Sequence, residues 1–86
     1  MSDIVKQNVK AYIASYANYP TADIKDEHVL KNAPLKLDDS KLTFLAMALR
    51  AYVKSYNPDK TILATELRKK DFDVKKTYDL VIKNIT

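Results

Sequence analysis

Few side chains in this sequence are of the types that commonly act as metal ligands, nucleophiles or general bases. His28 is the only histidine and cysteine is absent, so one chain cannot build a metal site from several imidazoles or thiolates. A nucleophilic triad would need His28 close to Ser15, Ser40 or Ser55, and no spacing in the sequence indicates such a cluster. Because glycine is also absent, loops whose backbone closely approaches a phosphate are excluded. We therefore expect a protein that is not an enzyme and that binds no metal and no cofactor.

Positive charge is concentrated in the second half of the sequence. Residues 1–44 contain six lysines and six acidic residues, whereas residues 45–86 contain nine basic and five acidic residues. The net charge of +4 therefore arises entirely in the second half. Such an asymmetry favours an anionic partner for that half, and an ordinary solvated surface is the alternative explanation.

The spacing of apolar residues predicts one all-α domain over residues 1–86, a compact bundle of four to five short helices. We predict helices at about 3–17, 23–32, 40–56, 59–70 and 74–85. The helix over 40–56 is apolar on almost every side, which is typical of a central helix packed from several directions. Asp38, Asp39 and Ser40 are its candidate N-cap residues, and capping alone would explain the serine.

In the stretch 49–85 a short apolar helix ends at Leu67, Ala64 lies where two helices would cross closely, and Phe72-Asp73-Val74 leads into the last helix. In these features the stretch resembles the helix-turn-helix unit of tri-helical DNA-binding domains, in particular bacterial repressor domains with a long turn. It implies non-enzymatic, regulatory binding of nucleic acid, with DNA favoured. A homodimer would enlarge the small interface that a single unit offers.

Under this interpretation the last helix is a recognition helix. Thr77 lies near its N-terminus, where a side chain can reach a phosphate or a base edge, and basic neighbours would contact phosphates. Three aspartates, Asp71, Asp73 and Asp79, place negative charge beside the same surface. We expect the interface to consist of Arg68, Lys69, Lys70, Lys75, Lys76, Thr77 and Lys83.

In the middle of the chain an Asp-Ser pair, Asp39-Ser40, stands at the start of the predicted central helix. This arrangement resembles that of acyl and peptidyl carrier proteins. In that family an Asp-Ser pair opens the central helix, and the serine carries a phosphopantetheine arm. Here Asp39-Ser40 precedes the apolar run 42–49, and Asn57-Pro58 ends the helix at the corresponding place. The resemblance implies that Ser40 is an attachment site.

The sequence departs from the carrier pattern in register and in charge. Alignment of Met47-Ala48-Leu49 with the family's central helix puts Asp39, rather than the serine, at the attachment position. The partners of the family read an acidic central helix, whereas the charged residues within this one are mainly basic: Lys41, Arg50 and Lys54.

A third interpretation is a small helical protein–protein interaction module. Five tyrosines support it: Tyr52 and Tyr56, four residues apart, and Tyr12, Tyr16 and Tyr19 near the end of the first helix. Tyrosine combines an apolar body with a polar tip and is favoured at interfaces, although tyrosines at helical spacing also occur in cores. The chain has no run of about 20 apolar residues, and its N-terminus does not resemble a signal peptide. We therefore expect a cytoplasmic protein without membrane contact, and the three functional interpretations stay open.

Overall fold

The structure, a computed structural model, describes residues 2–86, with side chains from Asp3 onward. Within this range the α-helices are, in chain order, α1 (Ser2–Ala17), α2 (Asp39–Tyr56), α3 (Ala64–Leu67) and α4 (Val74–Ile85). A 3-10 turn at Thr21–Asp23 lies between α1 and α2. The described residues form no strand, which confirms the all-α prediction. None of the described helices combines the length and the apolar composition that crossing a membrane requires.

Aspartate side chains begin α2 and α4. The Asp38 carboxylate accepts a hydrogen bond from the Lys41 amide at 2.8 Å, and the Asp73 carboxylate accepts one from the Lys76 amide at 2.8 Å. Each bond satisfies an amide that has no acceptor within the first helical turn. Asp38 is therefore the N-cap of α2, and the explanation of Ser40 as the capping residue is wrong.

The helix predicted at 23–32 does not exist. After the 3-10 turn, the Lys25 amide donates to Nδ1 of His28 at 3.1 Å, and the His28 amide donates back to the Lys25 carbonyl at 3.1 Å. These bonds close a tight turn at 25–28 in place of a helical ladder. The apolar residues of this segment still enter the core, because Ile24 and Leu30 are buried.

The helix predicted at 59–70 is much shorter than expected. Only Ala64–Leu67 is α-helical, a single turn; residues 60–63 have no regular secondary structure, and the backbone of Leu63 is extended. Ile62 is buried in this irregular stretch, and its carbonyl accepts a hydrogen bond from Nε of Arg50 at 3.1 Å. The Arg50 side chain therefore supplies the hydrogen bond that the Ile62 carbonyl would accept from a backbone amide in a longer helix.

α2 is central, since it packs against α1, α3 and α4. Its buried face consists of Leu42, Leu45, Ala46, Leu49 and Val53. The prediction that α2 is covered on nearly all sides is wrong in one respect, because Phe44 and Met47 point away from this face and are exposed.

Two distant segments are joined through their backbones, in a contact that we call the backbone clasp (residues 26–30 with 72–75). The Leu30 amide donates to the Phe72 carbonyl at 3.1 Å, the Val74 amide to the His28 carbonyl at 3.0 Å, and the Lys75 amide to the Asp26 carbonyl at 3.0 Å. Val29 and Asp73 form an isolated antiparallel bridge at its centre. The clasp fixes the loop before α2 against the N-terminus of α4.

Tyr78 connects α4 to the clasp and to α1. Its ring lies 5.9 Å from the Lys6 ammonium, and its buried hydroxyl has no hydrogen-bond partner among the described residues. The Asp26 carboxylate lies near this hydroxyl but outside hydrogen-bond geometry. Burial, together with this negative charge, raises the pKa of Tyr78 well above its ordinary value of 10.0.

The raised pKa predicts how stability depends on alkaline pH. The fold favours the neutral phenol, so the contribution of Tyr78 is complete below pH 10.0 and is lost as the pH rises above that value toward the folded-state pKa. We expect the free energy of unfolding, measured with urea, to fall less steeply above about pH 10 in Tyr78→Phe than in the wild type. Near pH 7 the variant should differ by no more than about 1 kcal/mol, because it loses no hydrogen bond.

Tyr16→Phe removes a phenol from α1 and serves as the control. Equal alkaline slopes for the wild type and Tyr78→Phe would contradict the assignment of this titration to Tyr78.

Candidate functional site

The basic residues predicted to bind nucleic acid do not form one uniform surface. Lys69 and Lys70 are exposed in the turn after α3, and Lys83 is exposed near the end of α4. Arg68 is different, because it is half-buried and directed at α2: Nη2 donates to the Thr43 hydroxyl, and Nε lies 3.9 Å from the Asp39 carboxylate. Arg68 therefore links α3 to the first turn of α2.

The two lysines at the start of α4 are exposed but engaged. Nζ of Lys75 donates to the Asp79 carboxylate at 3.2 Å, and Nζ of Lys76 donates to the Asp71 carbonyl at 3.1 Å. Both partners are exposed as well, and an exposed pair of this kind contributes little energy. These lysines can therefore exchange their present partners for phosphates at small cost.

The prediction that Thr77 contacts nucleic acid is wrong. Thr77 has no exposed surface, and its hydroxyl donates to the Asp73 carbonyl at 2.9 Å. A bond to the carbonyl four residues earlier lets a threonine lie inside a helical protein without an unsatisfied hydroxyl. Thr77 therefore belongs to the core, and only its exposed neighbours could contact a nucleic acid.

The N-terminus of α4 is closed as well. The amides of Val74 and Lys75 donate into the backbone clasp, and those of Lys76 and Thr77 donate to the side chain and the carbonyl of Asp73. All four amides that a helix N-terminus usually offers to an anion therefore have acceptors within the protein.

The N-terminus of α2 is more open. The amides of Asp39 and Ser40 have no acceptor among the described residues, and the Ser40 hydroxyl is exposed and makes no hydrogen bond within the same part of the chain. The Asp39 carboxylate is 81% exposed. The first turn of α2 thus presents a free hydroxyl beside a carboxylate.

The outer face of α2 continues from this hydroxyl. Ser40, Phe44, Met47 and Ala51 follow one another at helical spacing, and we call them the outer strip. Phe44 is 54% exposed and Met47 is 55% exposed, although both are large apolar residues. The sequence predicted a helix packed from several directions, which would cover both residues, because periodicity alone does not say which of two apolar faces is covered.

Basic residues flank the outer strip. At 3.6 residues per turn, Lys41 lies on one side of the strip, and Arg50 and Lys54 lie on the other. Arg50 holds the Ile62 carbonyl and so places Leu63, which is 50% exposed, beside the same flank. The result is a narrow apolar surface with positive charge along both edges.

Tyr12, Tyr52 and Tyr56 form a second cluster, on the side of α2 that faces α1. The rings of Tyr12 and Tyr52 are 6.0 Å apart, and those of Tyr52 and Tyr56 are 5.3 Å apart, both edge to face. Asn8 donates to the Tyr52 hydroxyl at 3.1 Å, and the hydrogen bond between the two hydroxyls raises the pKa of Tyr56 above its ordinary value. These contacts join α1 to α2, so most of the cluster has a structural role.

Comparisons of the chain with protein-family models, with curated protein sequences and with solved structures found no match. Among the described residues, no group of three or more histidine, aspartate or glutamate side chains is arranged to hold a metal ion. The function must therefore be inferred from the surfaces described above.

Proposed function

We propose that this protein is a carrier-type domain, which presents a group attached to the Ser40 hydroxyl at the first turn of α2. The observation that carries the proposal is the free, exposed hydroxyl of Ser40, together with the finding that Asp38 performs the capping role. Because the Ser40 hydroxyl neither caps a helix nor bonds to a neighbour within the described part of the chain, it is free to react. Its place at the head of an exposed apolar strip is suited to presenting an attached group to a partner.

The order of the helices supports the same proposal. The first helix, the long loop after it and the central helix opened by an Asp-Ser pair agree with the resemblance to carrier proteins. The register departs from the family pattern by one residue, which rotates the hydroxyl by about 100° around the helix axis and advances it by about 1.5 Å. Because Asp39 and Ser40 are both exposed, either position is accessible to a modifying enzyme.

The residues around Ser40 suit a phosphodiester. When bound, a phosphopantetheine arm supplies a flexible thiol that carries acyl groups as thioesters. In the attachment, the Ser40 oxygen would displace adenosine bisphosphate from coenzyme A and lose its proton. Arg68 holds a positive charge against Thr43, which is three residues from Ser40 and so adjacent to it on the helix surface. This charge would offset the repulsion between Asp39 and a phosphate.

We predict that the intact mass of the protein, isolated from the cells that naturally make it, exceeds the sequence mass by one phosphopantetheine group. A promiscuous phosphopantetheinyl transferase with coenzyme A should produce the same increase in the purified wild type. Ser40→Ala should abolish the increase, because it removes the attacking oxygen.

The double variant Asp39→Ser with Ser40→Ala is the matched control, since it moves the serine to the position of the family pattern. Modification of this variant, together with an unmodified wild type from both sources, would contradict attachment at Ser40.

A second candidate function is nucleic-acid binding by the surface of α4 and the turn before it. The observation that favours it is the exposure of Lys69, Lys70, Lys75, Lys76 and Lys83, of which only Lys75 forms an ion pair within the described residues. The burial of Thr77 and the single turn of α3 leave no side chain assigned to base edges. The proposal is therefore restricted to contacts with phosphates, which give binding without preference for a base sequence.

For this candidate we predict that Lys75→Glu with Lys76→Glu abolishes binding to a labelled mixed-sequence duplex, measured by fluorescence anisotropy at about 50 mM and about 200 mM salt. The wild type should bind more weakly at the higher salt. Lys54→Glu with Lys60→Glu carries the same change of charge at the far end of α2 and should bind like the wild type. An unchanged affinity of the Lys75/Lys76 variant would exclude this surface.

A further inference from the structure

We propose that the part of the outer strip beyond Ser40, which is Phe44, Met47 and Ala51, is a docking surface for a partner protein that has an apolar depression bordered by acidic residues. This inference is independent of attachment at Ser40, because Ser40 itself is not part of the docking surface.

The apolar part of the surface has no cover within the protein. Phe44 and Met47 are each more than half exposed, although eighteen other apolar residues are buried within the described part of the chain. Two large apolar side chains that are neighbours on one helix face, with only Ala51 after them, form a compact projection. Methionine adapts its shape to a partner surface, and aromatic residues are the usual anchors of interfaces.

The charge around the strip selects the partner. Lys41 on one flank and Arg50 and Lys54 on the other are the only charged residues of α2 beyond its first residue, and all are basic. The first residue, Asp39, lies near the guanidinium of Arg68. A partner with acidic groups around an apolar depression is therefore complementary in both charge and shape.

The same charges disfavour a second copy of this chain. Two outer strips packed face to face would bring the lysines and Arg50 of both copies into one interface, and like charges oppose such contact. The narrow strip also differs from a membrane-binding helix, which needs a broad apolar face.

The test uses a photo-crosslinking amino acid at position 47 of the full chain, in the cells that make the protein. The same amino acid at position 4 is the control, because Ile4 is equally apolar and 61% exposed on α1. Proteins captured at position 47 but not at position 4 are identified by mass spectrometry and purified. Their affinity for the wild type, Lys41→Glu with Lys54→Glu, and the charge-matched control Lys25→Glu with Lys31→Glu, at exposed positions outside both proposed surfaces, is then measured at two salt concentrations.

We expect the Lys41/Lys54 variant to weaken binding at least about tenfold, the Lys25/Lys31 variant to bind like the wild type, and higher salt to weaken the wild-type complex. Phe44→Ser should weaken binding at either salt concentration, and circular dichroism checks that each variant keeps its helices. Ser40→Ala should bind normally, which separates this surface from the carrier proposal.

The proposal is overturned if position 47 captures no protein beyond those captured at position 4, or if it captures only a second copy of this chain. An unchanged affinity of the Lys41/Lys54 variant for the captured protein would overturn it as well. Binding of the wild type to phosphatidylglycerol vesicles that the same variant abolishes would assign the surface to a membrane instead.

Discussion

The backbone clasp between residues 26–30 and 72–75 is the contact on which the rest of the structure depends. Its three hydrogen bonds, at 3.0 to 3.1 Å, join segments more than forty residues apart. Unpaired backbone groups are costly inside a protein, so a segment without regular secondary structure needs acceptors and donors elsewhere. The N-terminal turn of α4 supplies them, and this allows the chain between α1 and α2 to bury Ile24 and Leu30 without forming a helix.

The clasp also determines which helix ends remain available. It occupies the first amides of α4, whereas the first two amides of α2 have no acceptor among the described residues. The C-terminal half carries the positive charge of the sequence, yet the open helix end and the uncovered apolar residues belong to α2. The charge pattern of the sequence favoured a functional surface on α4, whereas these structural features favour the first three turns of α2.

The sequence was sufficient to predict helices that carry their own apolar periodicity. α1, α2 and α4 lie within one residue of the predicted bounds, because side chains at helical spacing bury one face of each. The loop at 24–38 was not predictable in this way, since its conformation depends on carbonyls and amides of residues 72–75. Thr77 shows a similar limit, because its polarity indicated exposure while a bond to the Asp73 carbonyl permits its burial. The two apolar faces of α2 were visible in the sequence, but only packing decides that Phe44 and Met47 stay uncovered.

Amide hydrogen exchange followed by NMR tests the central role of the clasp most directly. The first amides of a helix usually exchange fast, because they have no acceptor within the helix. We predict that the amides of Val74 and Lys75 exchange as slowly as those of the core of α2, which means that they exchange only when the whole protein unfolds. The equivalent amides of Asp39 and Ser40 should exchange fast. Fast exchange at Val74 and Lys75, in a protein whose α2 core is protected, would contradict the account.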